Sequence, residues 1–404
     1  MSILPEPISL KQFENEARNF LDSNAAKKTD RAFVWGEGDD DVSLFSENTP
    51  EQEQLEVRSA KEFARKVFDA GFGWITGPSE FGGRELPKDY QTCWEQLRSE
   101  YEIPSDNCRG IGLGMVAPTI LAHGTPLVKK LYLSKLYGGD IIACQLFSEP
   151  IAGSDLAGIQ TKASKDGDQW IINGQKVWTS GAQYSDIGEI ICRTNNDVPK
   201  HKGLTVFVVD MKAKGVEIRP LKQMTGGATF NEIFFNDVVI ADSHRLGEID
   251  GGWTVALTTL MNERAAIGSG GGGISSGSMS SRMLEMIKHF GADDEPLVRQ
   301  LFVEIYINSR IASFTSQRAL AKLTAGKLPG PEMSIGKLSL TENLRRIGDL
   351  CSLVLGPKLV ANSGEWGTYA WSQIILGTPG LRVAGGTDEI MRNIISERVL
   401  GLPK

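Results

Sequence analysis

The chain has 404 residues, of which 41% are hydrophobic and 23% charged, and its formal net charge is −7. This length favours two or three domains over a single core. The acidic balance, without a block of Lys or Arg, argues against a nucleic-acid-binding surface. No apolar run reaches the roughly twenty residues that a membrane span requires.

The five cysteines and four histidines are scattered through the sequence, with neither CxxC nor HxxxH spacing. We therefore expect reduced thiols, mostly in the core, and neither a disulfide framework nor a metal site. The first residues lack the basic and apolar regions of a secretory signal. These features are typical of an ordinary cytoplasmic protein.

From about residue 10 to residue 139 the hydrophobic periodicity is helical. In residues 59–68, for example, Phe63, Val67 and Phe68 lie near one face of the predicted helix. A polar stretch over residues 36–41 predicts a mobile loop. We expect residues 1–139 to form an N-terminal helical domain.

From about residue 140 to residue 245 the period changes to two, which is typical of strands. The turn pair at residues 173–174, flanked by 170–172 and 175–178, predicts a β-hairpin. Four further strands are predicted over residues 187–193, 204–210, 216–221 and 232–240. Residues 140–250 are therefore expected to form a middle domain, built as a small antiparallel sandwich or barrel.

From Trp253 through about residue 372 the pattern is helical again, so we expect residues 251–404 to form a C-terminal helical domain. Residues 268–277 within it are rich in glycine and serine. They predict either a loop or a helix with a smooth face for close packing. The helix would be costly, because each glycine is about 1 kcal/mol less favourable than alanine.

Two segments, residues 146–155 and 173–180, combine small hydroxyl residues and glycines with predicted strands. Ser148 and Ser154 offer hydroxyl donors, and Trp178 offers a flat aromatic face. Such groups suit a planar, phosphate-bearing cofactor that approaches the main chain closely. From the residues alone, two ordinary turns explain the segments equally well.

A glutamate interrupts an apolar stripe on the helix predicted after Trp253. At 3.6 residues per turn, Ala256, Leu260, Glu263 and Ile267 fall on one face. Burial without a full charge partner raises the pKa of a carboxyl group and makes it a usable base near neutral pH. The alternative is a structural ion pair, with the adjacent Arg264 or with a neighbouring helix.

Five motifs in order resemble the FAD-dependent acyl-CoA dehydrogenase family, and the resemblance spans roughly residues 55–404. The motifs occupy residues 71–83, 147–155, 173–180, 263–264 and 385–392. The resemblance implies a mainly α fold with an N-terminal helical domain, a central antiparallel β-domain and a C-terminal four-helix bundle. It also implies FAD held between the β-domain and the C-terminal helices.

The resemblance also assigns individual residues to the cofactor. Phe147 and Ser148 match the motif whose hydroxyl bonds the flavin ring. Trp178 and Ser180 match residues that line the isoalloxazine, and Thr387 matches a C-terminal flavin contact. We therefore expect these five residues to form the flavin-ring side of an FAD site.

The family reaction is the α,β-dehydrogenation of an acyl-CoA thioester. In many members the base directly precedes Gly-Thr of the C-terminal motif, where this chain has Gly385. Other members carry the base directly before an arginine on the helix that opens the C-terminal domain, and Glu263 occupies that place. The resemblance then implies that the N–H of Gly385 polarises the thioester carbonyl. Ser154 lies near the junction of cofactor and thioester, and Arg264 holds the helix or the CoA end.

A second departure from the family concerns the pyrophosphate of FAD. The family commonly supplies an arginine and a glutamine at the places where this chain has Ile287 and Leu353. An apolar pair cannot neutralise a pyrophosphate, so either basic residues elsewhere or another subunit must grip it. The second option resembles bacterial heteromeric acyl-CoA dehydrogenases of steroid-CoA breakdown, and this chain is similar to their base-bearing subunit.

The resemblance therefore implies a bacterial, cytoplasmic enzyme that assembles as a homo- or hetero-oligomer, a dimer or tetramer, with related subunits. Its implied electron acceptor is an electron-transfer flavoprotein. Two alternatives keep the fold. One is a non-catalytic partner subunit, and the other is an acyl-CoA oxidase or flavin monooxygenase.

Overall fold

The structure is a computed structural model, and it describes residues 8–29, 33–45, 48–268, 276–324 and 330–403. Helices dominate the chain before residue 140, as the sequence predicts. The described helices there are α1 (Leu10–Asn24), α2 (Pro50–Asp69), α3 (Lys88–Ser99), α4 (Ala117–His123) and α5 (Pro126–Tyr137). The two-residue strands β1 (Ala26–Lys27) and β2 (Tyr101–Glu102) pair with each other.

Helix α2 shows how local sequence sets these boundaries. The Thr49 hydroxyl accepts a hydrogen bond from the N–H of Gln52, and the Gln52 side chain accepts one from the N–H of Thr49. This reciprocal capping satisfies N–H groups that have no partner within the helix. The helix predicted over residues 59–68 lies within α2. Its most buried positions are Ala60 and Ala64, rather than the aromatic residues of the predicted face.

An eight-stranded mixed sheet forms the middle of the molecule, with the order β10-β7-β6-β4-β5-β9-β8, and β3 pairs with β6. Its strands are β3 (Ala143–Leu146), β4 (Lys162–Asp166), β5 (Gln169–Ser180), β6 (Ile187–Arg193), β7 (Leu204–Asp210), β8 (Val216–Leu221), β9 (Phe230–Ala241) and β10 (Arg245–Leu246). The four strands predicted after residue 186 are confirmed. Most pairs are antiparallel, whereas β3 and β4 run parallel to β6.

The hairpin predicted at Asn173 and Gly174 is wrong, because β5 continues through both residues, with an irregular register against β9 at this point. The Asn173 amide donates to the Asp237 carboxylate at 2.9 Å, and the N–H of Asp237 donates back to Asn173 at 3.0 Å. These bonds tie Asn173 to β9 and so remove the reason to turn. The hairpin turn lies instead between β4 and β5, at Gly167, which has a φ of +58°.

Helices return after residue 250: α6 (Gly252–Gly268), α7 (Ser276–His289), α8 (Pro296–Thr324), α9 (Met333–Leu355), α10 (Ser372–Val383) and α11 (Asp388–Ile394). Helices α7 to α10 share a core around Met283, Leu350 and Trp371, whereas α6 packs against the core beneath the sheet. The glycine-rich stretch begins at the last residue of α6 and ends in the first turn of α7, while residues 269–275 lie outside the described ranges. None of the described helices is long and apolar enough to cross a membrane.

Residues 33–45, which we name the N-terminal strap, lie across the C-terminal helices. The Arg282 guanidinium donates to the carbonyls of Asp39 and Asp41 at 3.3 and 3.2 Å, and it pairs with the Asp40 carboxylate. The Trp366 indole donates to the carbonyl of Gly38 at 3.0 Å. Residues 36–41, which the sequence predicts to be a mobile loop, are therefore held by contacts with α7 and with the α9–α10 connection.

Candidate active site

A buried ion pair fixes the loop that follows β3. The Lys176 ammonium, on β5, donates to the Glu149 carboxylate at 2.8 Å and to the carbonyl of Phe147 at 2.9 Å. The N–H groups of Gln160 and Thr161 also donate to Glu149, at 2.6 and 2.9 Å. Four hydrogen bonds thus hold the residues on either side of Ser148.

The pKa shifts of Glu149 and Lys176 are consistent with a fixed ion pair. Burial alone would raise the pKa of Glu149, but the Lys176 ammonium and the N–H of Gln160 outweigh it, so the pKa is lowered. Burial lowers the pKa of Lys176 in spite of its partner. The Lys176 side chain lies on the same, buried side of β5 as Trp170 and Ile172. This alternation along the strand is the sequence signal for the burial of Lys176, and it was missed.

The structure brings Ser148 and Trp178 to the same place. The N–H of Val177 donates to the carbonyl of Ser148 at 2.9 Å, so the two predicted motifs meet along the main chain. Trp178 stands at a β-bulge with a φ of +62°, and 62% of its surface is exposed. Its indole meets the ring of Phe230 edge-on, with centroids 6.2 Å apart.

An exposed tryptophan on a bulged strand, with hydroxyls beside it, fits a planar ring that hydrogen-bonds. Ser180 is half-buried at the end of β5, and Phe147 is buried beneath the loop. Ser154 and Gly153 are exposed, and a Cβ added to Gly153 would meet open space. Ser148 and Trp178 therefore lie together at an accessible part of the surface, whereas no described contact joins Ser154 or Thr387 to them.

Glu263 lies on the apolar face of α6, as its spacing predicts. Ala256 is fully buried and Leu260 packs against the same core, whereas the side chain of Ile267 lies outside the described residues. The Gln145 side chain, on β3, hydrogen-bonds the Glu263 carboxylate. That bond joins the base candidate to the strand that leads into the Ser148 loop.

The surroundings of Glu263 favour a base over a structural ion pair. Burial raises the pKa of Glu263, and the Gln145 hydrogen bond and the charges of Arg264 and Lys337 do not cancel this effect. Burial also lowers the pKa of Arg264, and its Nε is buried without an acceptor among the described residues. A carboxylate dominated by an ion pair would instead have a lowered pKa.

A second buried network positions the loop at Gly385. Asp388 accepts hydrogen bonds from Lys337 at 3.0 Å, Thr341 at 2.8 Å and Arg382 at 2.7 Å. Lys337 is wholly buried and also donates to the carbonyl of Arg382 at 2.9 Å. This network fixes the chain immediately after the loop, and sequence reasoning did not predict it.

The loop itself has a backbone that favours glycine. Gly385 and Gly386 have φ angles of +66° and +93°, in the left-handed region that L side chains rarely adopt. The Thr387 hydroxyl caps α11 by accepting from the N–H of Ile390 at 3.2 Å. Within the described chain the N–H of Gly385 has no acceptor, so it is free to donate to a bound group.

The two positions expected to lack a pyrophosphate grip lie in different surroundings. Ile287 is 3% exposed in the C-terminal core, and Leu353 is exposed on α9. Neither can offer a positive charge to a phosphate. In the described ranges no three His, Cys, Asp or Glu side chains gather to hold a metal ion. At these two positions the chain therefore offers no positive charge for the pyrophosphate of FAD.

Comparison with known families agrees with this arrangement. Residues 144–238 match the model of the acyl-CoA dehydrogenase middle domain, and residues 250–400 match that of the C-terminal domain. Members of this family are flavoproteins. The first match contains the Ser148 loop and Trp178, and the second contains Glu263 and Gly385.

Solved structures share the fold over the whole chain. The Tcur3481-Tcur3483 steroid ACAD superposes with a TM-score of 0.73 at 24% identity and covers 100% of both chains. A chain of the ChsE4-ChsE5 complex from Mycobacterium tuberculosis gives a TM-score of 0.70 at 25% identity, over 100% of this chain and 99% of its own.

Two curated relatives from Mycobacterium tuberculosis are more similar in sequence. The acyl-CoA dehydrogenase FadE34 is 38% identical over 362 residues, which cover 86% of this chain but 47% of FadE34. The acyl-CoA dehydrogenase IpdE1 is 34% identical over 361 residues, or 88% of this chain and 90% of IpdE1. A relative matched along nearly its full length, together with both domain models in order, shows that this chain belongs to the acyl-CoA dehydrogenase family.

Proposed function

We propose that this acyl-CoA dehydrogenase is FAD-dependent and that Glu263 removes the α-proton of an acyl-CoA thioester. The observation that carries the proposal is a carboxyl group on the apolar face of α6 whose pKa is raised by burial. A general base works best when its pKa lies near the operating pH. Gln145 restrains the carboxylate, which helps to hold it at a fixed distance from Cα.

The other residues act on the thioester and on the ring. The free N–H of Gly385 donates to the thioester carbonyl oxygen and so stabilises the negative charge that develops there. Ser148, Trp178 and Ser180 hold the flavin ring from the β-domain side, and Thr387 contacts it from the C-terminal side. When bound, FAD supplies the acceptor for the β-hydrogen, which leaves as hydride.

Two observations support our proposals for the substrate class and the oligomeric state. The steroid ACAD and the ChsE4-ChsE5 complex share the fold, and we propose a ring-bearing acyl group and a heteromeric enzyme for this chain as well. The apolar pair at Ile287 and Leu353 leaves the pyrophosphate to be gripped from elsewhere, which a related subunit would do. The proposed electron acceptor is an electron-transfer flavoprotein.

An exposed apolar stripe on α8 supports a subunit contact. Its members lie along one side of the helix and are each about half exposed: Val303, Tyr306, Ile307, Ile311 and Phe314. Contiguous apolar surface of this kind marks contacts between proteins. We also propose the three domains as residues 1–139, 140–250 and 251–404.

The decisive test is Glu263→Gln, which keeps the shape of the side chain and removes the base. We expect flavin bleaching by an acyl-CoA to slow by about 10²–10⁴-fold, the usual contribution of a general base. The FAD content and the melting temperature should be unchanged. Glu285→Gln, which changes a glutamate on α7 paired with Lys288 at the surface, serves as the matched control. Wild-type bleaching rates in Glu263→Gln would contradict the assignment.

The missing pyrophosphate grip also favours a second candidate, a non-catalytic partner subunit. FAD content decides between the two, measured in the chain purified alone and together with candidate partner chains. Bleaching by a panel of linear, branched and ring-bearing acyl-CoAs then identifies the substrate class. Reoxidation of the reduced flavin by oxygen tests for an oxidase, since an oxidase passes its electrons to oxygen.

A further inference from the structure

A second glutamate, Glu189, is buried in the middle of β6 beside the proposed base. It is 0% exposed, and every residue of β6 is buried. Its neighbours at i−2 and i+2, Ile187 and Ile191, belong to the core between the sheet and helices α4 and α6. Because alternate residues of a strand share a face, Glu189 points into that core. Gln145 is its register partner on β3 and lies on the same face.

The hydrogen bonds of Glu189 connect it to the helix that carries the base. Its Oε1 accepts from the Thr259 hydroxyl at 2.6 Å, and Thr259 lies 2.9 Å from the Thr119 hydroxyl on α4. Its Oε2 is buried and has no partner among the described residues. Since Thr259 precedes Glu263 by four residues, Glu189 contacts the face of α6 that carries Glu263, one turn before it.

The charged groups around Glu189 do not neutralise a second carboxylate beside that of Glu263. The titratable groups on the elements around Glu189 are Glu263 and Arg264 on α6, Cys144 on β3, His123 on α4 and Asp210 on β7. Lys337 on α9 acts on Glu263, and Arg398 acts on Arg264. Of these, Lys337 already pairs with Asp388, and His123 bonds Thr258. A buried carboxylate with one hydroxyl donor and a neighbouring anion is strongly disfavoured.

We propose that Glu189 is a positioning residue that stays protonated behind the base, so that the pair carries one negative charge and this charge resides on Glu263. The inference rests on the proposed role of Glu263 as base. No proton leaves Glu189 during the reaction. Because Glu189 is neutral, the Glu263 carboxylate is the only anion in this part of the core when the acyl chain binds.

The proposal has a consequence for the pH dependence of substrate binding. Burial, opposed by the Thr259 hydrogen bond and reinforced by the charge of Glu263, raises the pKa of Glu189 to about 8. Above this pH the free enzyme holds a buried anion at Glu189 beside a half-buried anion at Glu263. An acyl chain that expels the remaining water then binds only with uptake of a proton. The dissociation constant should therefore rise by up to about tenfold per pH unit above pH 8.

Three forms of the FAD-loaded enzyme test this. The dissociation constant of an acyl-CoA is measured by flavin absorbance over a pH series, and the protonated carboxyl stretch is measured by infrared spectroscopy. In the wild type we expect that band to disappear with the pH transition. Glu189→Gln should lack both the band and the rise of the dissociation constant. Thr259→Val removes the hydroxyl that stabilises the anion, so both transitions should move upward by about one pH unit.

The outcomes separate the two hypotheses. An unchanged pH profile in Glu189→Gln, or a wild type without the protonated band at neutral pH, would overturn the role of Glu189. Full turnover in Glu263→Gln would refute the proposed base. It would leave the infrared result on Glu189 interpretable, because that measurement needs no turnover. Retention of the band in Glu263→Gln assigns it to Glu189 and not to the base.

Discussion

The network around Asp388 predicts an asymmetry between two substitutions of one ion pair. Asp388→Asn leaves the wholly buried Lys337 ammonium without a carboxylate and with only neutral acceptors, such as the carbonyl of Arg382 at 2.9 Å. Removing one partner of a buried pair costs about 3–5 kcal/mol, because the remaining charge is uncompensated. Lys337→Met is milder, at about 1–3 kcal/mol, since Asp388 keeps its bonds from Arg382 and Thr341.

Scanning calorimetry of the FAD-loaded protein measures both effects. At roughly 2 °C per kcal/mol for a large domain, Asp388→Asn should melt about 6–10 °C below the wild type, and Lys337→Met should melt about 2–6 °C below it. The double variant Lys337→Met with Asp388→Asn should melt above Asp388→Asn alone, because the unpaired ammonium is gone. A Lys337→Met protein that melts lower than Asp388→Asn would refute this reasoning.

The pH dependence of melting provides an independent check. Burial alone would raise the pKa of Asp388, but the hydrogen bonds from Arg382 and Lys337 outweigh it, so the folded-state pKa is lowered. The contribution of the carboxylate to stability is therefore present above the unfolded pKa of about 3.9 and lost as the pH falls towards the folded pKa. The difference in melting temperature between wild type and Asp388→Asn should shrink below about pH 4.

Two further predictions concern the flavin-ring side. Trp178→Ala should weaken FAD binding about tenfold in a fluorescence titration. It should change the unfolding free energy by no more than about 0.5 kcal/mol, because the indole is exposed; unaltered FAD affinity would remove Trp178 from the site. Lys176→Met should lower the unfolding free energy by about 3 kcal/mol and accelerate FAD release, since it frees the loop around Ser148. A variant that melts and retains FAD like the wild type would show that the buried pair does not position the loop.

Local patterns predicted the sheet better than the site. The bounds of β6, β7 and β8 follow from short runs of strand-forming residues and from the turn residues between them, and both signals lie within a few residues. The hairpin at Asn173 failed because the side chain bonds Asp237, 64 positions away. A dipeptide that is typical of turns cannot reveal such a distant partner.

The site was only partly predictable for the same reason. Glu263 could be identified because it interrupts an apolar stripe, a feature of one helix. Glu149, Lys176, Glu189 and Lys337 are also buried, but each depends on contacts between elements that the sequence does not bring together. Glu189 did carry a local signal, as the only acidic residue in the seven-residue run of β6.

The N-terminal strap has a consequence for the order in which the molecule is assembled. Arg282 contacts Asp39 across 243 positions, and Trp366 contacts Gly38 across 328 positions. On the ribosome, residues 33–45 are therefore made long before the helices that receive them. Because contacts between residues so far apart in the sequence form late, the polar groups of the N-terminal strap lack their partners until α7 and the α9–α10 connection have been synthesised. The last helices can complete their packing only when a segment from the beginning of the chain returns to close over them.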